Sequence, residues 1–321
     1  MPRLCYLRTG AFYNMTQQHT TFRMSTAGFV LTFCGAILFS TKAIIVKLAF
    51  RHTAMDGLTL LAMRMLFSLP FYAAAAWIAT RKKDSVPLTR RQWAHIILLG
   101  LFGYYLSSLF DFVGLQYISA GLERLILFLY PSFVILINAF IFKQTVTRLQ
   151  KTALILTYAG IALAYAGEFY IDLYNSHFVW GSFLIFLCSV TFALYIVGSG
   201  RLIPQTGATR FTAYAMLAAT AGIFAHFFIA GNMESIEFSG THWWYGLTLS
   251  IFATVLPTFM MSNGMKRIGA NNVAIISAIG PVSTILQAHF VLGEPIFALQ
   301  ITGTVLVIAG VLLTGWKNAK N

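Results

Sequence analysis

The segment 93-WAHIILLGLFGYYLSSLFDFVGLQYISAGLERLILFLYPSFVILINAFIFKQTVTRLQKTALILTYAGIAL-163 returns without a gap as 243-WWYGLTLSIFATVLPTFMMSNGMKRIGANNVAIISAIGPVSTILQAHFVLGEPIFALQITGTVLVIAGVLL-313. At this fixed offset of 150, 19 of 71 positions are identical, among them Trp93/Trp243, Gly114/Gly264, Ile118/Ile268, Pro131/Pro281, Gln150/Gln300 and Gly160/Gly310. Chance agreement between two apolar stretches is about one position in ten, so the chain contains an internal duplication. The likeness extends upstream, where 28–39 resembles 181–192 through Gly28/Gly181, Leu31/Leu184 and Phe39/Phe192.

Composition places the duplication in a bilayer. The 321 residues are 58% apolar and 10% charged, which leaves too little polar surface to cover a soluble globule. Apolar runs of about 20 residues recur, each long enough to cross about 30 Å of hydrocarbon as a helix. They fall near 27–50, 57–79, 93–116, 121–142, 151–168, 179–199, 209–231, 243–264, 272–292 and 297–316. The expected fold is an all-α polytopic membrane protein with ten transmembrane helices.

The net charge of +13 is a topology signal rather than a nucleic-acid footprint. Alternate loops hold most of the basic residues: Arg3, Arg8 and Arg23; Arg81, Lys82, Lys83, Arg90 and Arg91; Lys143, Arg148 and Lys151; Arg201 and Arg210; Lys266 and Arg267; Lys317 and Lys320. The opposite loops carry Arg51 with the acids Asp56, Glu168, Asp172, Glu234, Glu237 and Glu294. The positive-inside rule then puts both termini in the cytoplasm of a cell whose inner, or plasma, membrane holds the protein. The polar residues 1–24 lack the apolar core of a signal peptide and read as a cytoplasmic tail.

A unit of five crossings is odd, so the second copy is expected to insert upside down. Loop charge agrees: Lys143, Arg148 and Lys151 align with Gly293, Ala298 and Ile301, and Gln144 with Glu294. The expected organisation is therefore a first five-helix repeat at 25–168 and an inverted second one at 177–317, the plan of many secondary transporters.

At this point the chain resembles the ten-helix drug/metabolite transporters with paired EamA repeats. The resemblance covers about 25–317 and rests on Tyr117-Ile118-Ser119-Ala120 leading into Pro131, on Ala278-Ile279-Gly280-Pro281, on Leu292-Gly293-Glu294-Pro295 and on Gly303 to Gly310. It implies a carrier of small metabolites, commonly an amino-acid exporter, with its site in a central cavity and no cofactor. One departure is Lys143-Gln144 where the second copy has Gly293-Glu294.

Ionisable residues inside the apolar runs are the candidate site, because each costs about 2.5–3.5 kcal/mol at a helix centre unless it meets a partner or a wet cavity. Lys42, Arg64, Asp111, Glu123 and Arg124 all belong to the first copy, and depth along the helices places all five in the outer half of the membrane. One reading makes Lys42 and Arg64 attract a carboxylate or phosphate, with Asp111 and Glu123 as proton-coupling candidates. The other makes Lys42–Asp111 and Glu123–Arg124 mutually satisfied structural pairs, with Glu123 and Arg124 capping their helix. The counterparts in the second copy, Tyr195, Ala215, Met261, Val273 and Ala274, are uncharged, and that asymmetry favours substrate recognition.

Tyr195 and Asn263 complete the substrate-binding or ion-binding candidates, with Tyr104, Tyr105, Tyr130, Asn138, Ser277, Ser283, Thr284 and Gln287 as further polar neighbours. Pro131 and Pro281 break their helices at equivalent places and are candidate gating points. Glu294 is expected to cap the start of the last helix. Gly160 and Gly310, with Ala153 and Gly303 seven residues earlier, form small faces suited to scaffold packing or to a homodimer contact.

No HExxH metal motif, nucleophile elbow or pair of membrane aspartates is present, so neither catalysis nor a metal is expected. The sequence reading is a secondary transporter, working as an exporter, of a small polar metabolite such as an amino acid. Its alternatives are a carrier of organic or phosphorylated anions and a non-transporting membrane sensor or scaffold.

Overall fold

The computed structural model describes residues 25–81, 87–143, 145–146, 148–169, 176–231 and 240–316, with the helix alone described at 168–169, 270–272, 274–275 and 314–316. The tail 1–24, Lys82, Lys83, Gln144 and the acidic loop residues Asp172, Glu234 and Glu237 lie outside these residues. The described residues are helical and include no strand. They run as α1 (Thr26–His52), α2 (Gly57–Thr80), α3 (Arg90–Gly114), α4 (Ala120–Ile141), α5 (Arg148–Phe169), α6 (Phe178–Thr206), α7 (Ala208–Ala230), α8 (Gly240–Gly269), α9 (270–292) and α10 (Ala298–Trp316).

Polar residues at the helix starts satisfy otherwise orphaned amides. The Asp56 carboxylate accepts from Thr59 N at 2.7 Å, Thr89 and Gln92 form a reciprocal capping box, and Ser119 Oγ accepts from Leu122 N at 3.0 Å. Where α6 meets α7 and α8 meets α9 there is no room for a loop. The chain instead turns at Gly207 (φ 83°) and Gly269 (φ 78°), a region that glycine enters without steric cost.

Seven helices, α1 to α4 and α6 to α8, are long and apolar enough to cross a membrane. Shorter apolar helices occupy Ile279–Leu292 and Ala298–Leu313. Large apolar side chains face outward, among them Phe140, Ile155, Phe228, Ile229 and Phe290, as expected for a surface solvated by lipid tails.

The duplication is visible in local geometry. In α3 the backbone opens by one residue, so that Leu106 N bonds to Leu101 O, and in α8 Leu256 N bonds to Ile251 O in the same way. These two π-turns stand 150 residues apart. α4 is interrupted at Phe128–Leu129 and α9 at Ala278, three residues before Pro131 and Pro281, whose missing N–H would otherwise bond back across the gap. Lys143 (φ 53°) ends α4 in the left-handed region, and Gly293 (φ 70°) ends α9 in the same way.

Packing follows the same exchange of copies. α5 packs on α10 and α2 on α7, while α1 packs on the 256–277 segment as α3 packs on α6. The small faces of α5 and α10 meet each other inside the protein. A Cβ added at Gly160 would come within 2.5 Å of the Gly303 carbonyl oxygen, and one at Gly310 within 2.7 Å of the Ala153 carbonyl. The backbones approach closely because nothing projects between them.

Candidate functional site

A cavity of about 150 Å3 lies where the two copies face each other. The first copy lines it with Ala36, Phe39, Lys42, Arg64, Tyr104, Ser107, Ser108, Asp111, Arg124, Leu127, Phe128 and Tyr130. The second supplies Cys188, Phe192, Tyr195, Ile196, Ser199, Thr258, Met261, Ser262, Val273 and Ser277, among others. Tyr195, Met261 and Val273 are the uncharged counterparts of Lys42, Asp111 and Glu123, so exchange of the two copies brings equivalent positions to one cavity.

The charged groups are tied together from three helices. Lys42 Nζ of α1 is 2.6 Å from Asp111 Oδ2 of α3 and 3.5 Å from Glu123 Oε1 of α4. Asp111 is 1% exposed and Glu123 0%, so the ammonium holds together two carboxylates that could not stand next to each other unpaired. The expected Glu123–Arg124 pair does not form, because adjacent positions on a helix diverge by about 100° and the Glu123 side chain turns to Lys42.

Arg124 instead points into the cavity from the first turns of α4. Its guanidinium lies over the Cα of Gly280 in α9, where a Cβ would come within 2.6 Å of Nη2. Arg64 is 2% exposed, donates from Nη2 to Ser108 Oγ at 3.0 Å and stacks its guanidinium 4.7 Å above the Phe112 ring. Neither arginine meets a carboxylate among the described residues, and the Nε of each has no hydrogen-bond partner.

A run of aromatic rings also lines the cavity. Tyr104 meets Tyr195 edge-on at 5.6 Å, Tyr195 stacks on Phe192 at 6.2 Å, and Phe192 and Tyr130 meet at 5.2 Å. Tyr195 reaches the wall because α3 carries Gly103 there, where a Cβ would lie 2.7 Å from that of Tyr195. The cavity is thus lined by cationic, hydrogen-bonding and aromatic groups together.

The structure brings Lys42, Arg64, Asp111 and Tyr195 to the cavity, with Glu123 directly behind Lys42. Asn263 is not there; its Nδ2 donates to Phe259 O at 2.8 Å in its own helix. Tyr105 also faces away and bonds His226 at 2.9 Å, whereas Tyr104, Tyr130 and Ser277 line the cavity. Near the α9 break, Ser40 donates to Gly280 O and Thr284 to Ser40 O, which fastens α1 to the half-helix that carries Pro281. Sequence reasoning missed the direction of Arg124, and Ser108 and Cys188 carried no signal beyond their position one helical face from Asp111 and in an apolar run.

Glu294 does not cap α10, as the sequence reading expected. Its carboxylate crosses to the other copy and accepts from Ala120 N at 3.1 Å and Gly121 N at 3.4 Å, at the start of α4. An anion there is favoured by the partial positive charge of the helix end. Arg51 makes a second tie on the same turn, donating to Leu292 O at 2.8 Å.

Comparison with known proteins adds the following. Residues 26–166 and 179–316 each match the model of the EamA-like transporter family. The chain is similar to "Uncharacterized transporter YcbK" of Bacillus subtilis (strain 168), with 31% identity over 291 residues that span 89% of this chain and 92% of the relative. An uncharacterized transporter of Archaeoglobus fulgidus is 22% identical over 281 residues, 88% of this chain and 94% of its own. A solved crystal structure superposes on 92% of this chain and 99% of its own with a TM-score of 0.66 at 18% identity, a likeness of fold.

Proposed function

The chain belongs to the EamA-like transporter family, and from that premise we propose that it is a secondary transporter whose substrate binds in the cavity between the two copies. The single observation that carries this reading is the placement of three buried ionisable groups, Asp111, Arg64 and Arg124, and the half-buried Lys42, all contributed by one copy, on a cavity shared by both. A structural role alone would leave two arginines buried without counter-charge, which is costly in a bilayer.

In this reading the protein crosses the inner membrane ten times as two inverted five-helix repeats with both termini in the cytoplasm, on the loop charges. It alternates access by rocking one repeat against the other. The half-helix breaks before Pro131 and Pro281 supply the points where each repeat bends. The substrate is a small polar metabolite such as an amino acid, moved outward. Its carboxylate meets the arginines and its apolar part the rings of Tyr104, Tyr195 and Phe192. Asp111 and Glu123 carry a coupling proton when Lys42 lets go of one of them.

A second reading, an organic anion without an ammonium group, is favoured by one contact pattern: both carboxylates already hold Lys42, and the groups left open are guanidiniums. The test is untargeted metabolite profiling of medium from cells producing the wild type or Asp111→Asn. The reading expects at least one carboxylate-bearing compound to accumulate outside with wild type and not with the variant. Identical profiles would remove it.

A further inference from the structure

We propose that the transported molecule carries two separated carboxylates, one for Arg64 and one for Arg124. This deepens the reading of the cavity as the transport site and rests on it. The two guanidiniums are the same kind of group in the same predicament: each is about nine-tenths buried or more, each lines the cavity, each has an unpartnered Nε, and neither has a carboxylate within ion-pair distance among the described residues. They are also held against different helices. Arg64 is fixed against α3 by Ser108 and the Phe112 ring, and Arg124 reaches over to Gly280 at the broken part of α9.

The third cation is already occupied. Lys42 is paired with Asp111 and Glu123, so it adds no open anion site. A planar guanidinium offers a fork of donors that matches a carboxylate in two-point contact, and a ligand with one head satisfies one fork and leaves the other buried and unmet. A ligand with two heads satisfies both. The Arg124 end is also the better hydrogen-bonding end, because Ser277 Oγ, buried and without a partner, lines the same cavity.

The experiment measures binding to the purified full-length protein in detergent by calorimetry. The probes are the linear dicarboxylates from malonate to adipate, butyrate as the single-headed acid and glycerol 3-phosphate as the single-headed dianion. The expected result is an optimum chain length at which a dicarboxylate binds about tenfold or more tighter than butyrate. Arg64→Gln and Arg124→Gln should each weaken that dicarboxylate by about ten- to hundredfold while moving butyrate by only a few fold. Arg64→Lys, which keeps the charge and loses the fork, should fall between.

The inference is overturned if butyrate or glycerol 3-phosphate binds as tightly as the best dicarboxylate, if only one arginine matters, or if no dicarboxylate binds to protein that elutes as a single folded species. Counterflow of the bound dicarboxylate in proteoliposomes separates the two claims. Binding without flux contradicts the transporter reading and leaves the two-headed site standing. Export of another metabolite with no dicarboxylate binding contradicts the two-headed site alone.

Discussion

Lys42 of α1 and Asp111 of α3 meet at 2.6 Å between Nζ and Oδ2, in a membrane protein whose second copy has Tyr195 and Met261 at the equivalent places. Glu123 approaches the same ammonium at 3.5 Å. One cation is therefore shared by two buried carboxylates, and each member of the cluster has a different cost of removal.

Lys42→Met leaves Asp111 and Glu123 facing each other without compensation, and the loss is expected to be about 3–5 kcal/mol. Asp111→Asn leaves Glu123 to pair with Lys42 and should cost less. The double variant should unfold at a higher temperature than Lys42→Met alone. Thermal unfolding in detergent reads all three, and a double variant less stable than Lys42→Met would contradict the shared-cation geometry.

Glu294 holds the first amides of α4 from the other copy. Glu294→Ala should cost about 1 kcal/mol, the usual value of a lost N-terminal cap, and Glu294→Gln less, because its side-chain oxygen still accepts. Equal unfolding midpoints for Glu294→Ala and wild type would show that this tie contributes nothing.

Lys143 occupies the left-handed position that Gly293 occupies 150 residues later, and it is the non-glycine residue with positive φ among those described. Lys143→Gly is expected to stabilise the protein by about 1 kcal/mol, since a side chain in that conformation is penalised by about that amount. The reverse exchange, Gly293→Lys, should destabilise. Both signs are checked by the same unfolding assay.

Cys188 is buried on the cavity wall, with Sγ 3.3 Å from Ser107 Oγ, whereas Cys34 is exposed on α1. A small thiol reagent should inhibit transport through Cys188, and Cys188→Ser should resist it. Inhibition that persists in Cys188→Ser and vanishes in Cys34→Ser would place the sensitive thiol outside the cavity.

Much of this arrangement is legible before any coordinates. Helix type and membrane class follow from apolar run length, and the pairing of Phe128 with Ala278 follows from the shared prolines. Lys42, Arg64 and Asp111 follow from the cost of burying charge in lipid. The π-turns at Leu101–Leu106 and Ile251–Leu256 were not legible, since they answer to how α3 and α8 pack rather than to any residue type. Arg124 and Glu294 failed for the same reason. Their local sequence suggests caps on their own helices, but the partners that decide their direction, Gly280 for one and Ala120 for the other, lie across the interface between copies. Asn263 shows the converse: a polar residue in the right helix finds its bond one turn back and never reaches the cavity.

Alternating access requires that the cavity between the two copies be reached from each side of the membrane in turn. Met261, the counterpart of Asp111, lines that cavity from α8. Met261→Cys in a background with Cys5, Cys34 and Cys188 changed to serine can be reacted with a membrane-impermeant thiol reagent applied to sealed vesicles from one face and then, in inverted vesicles, from the other. Labelling from both faces is expected. Labelling from a single face, whatever its rate, would contradict it.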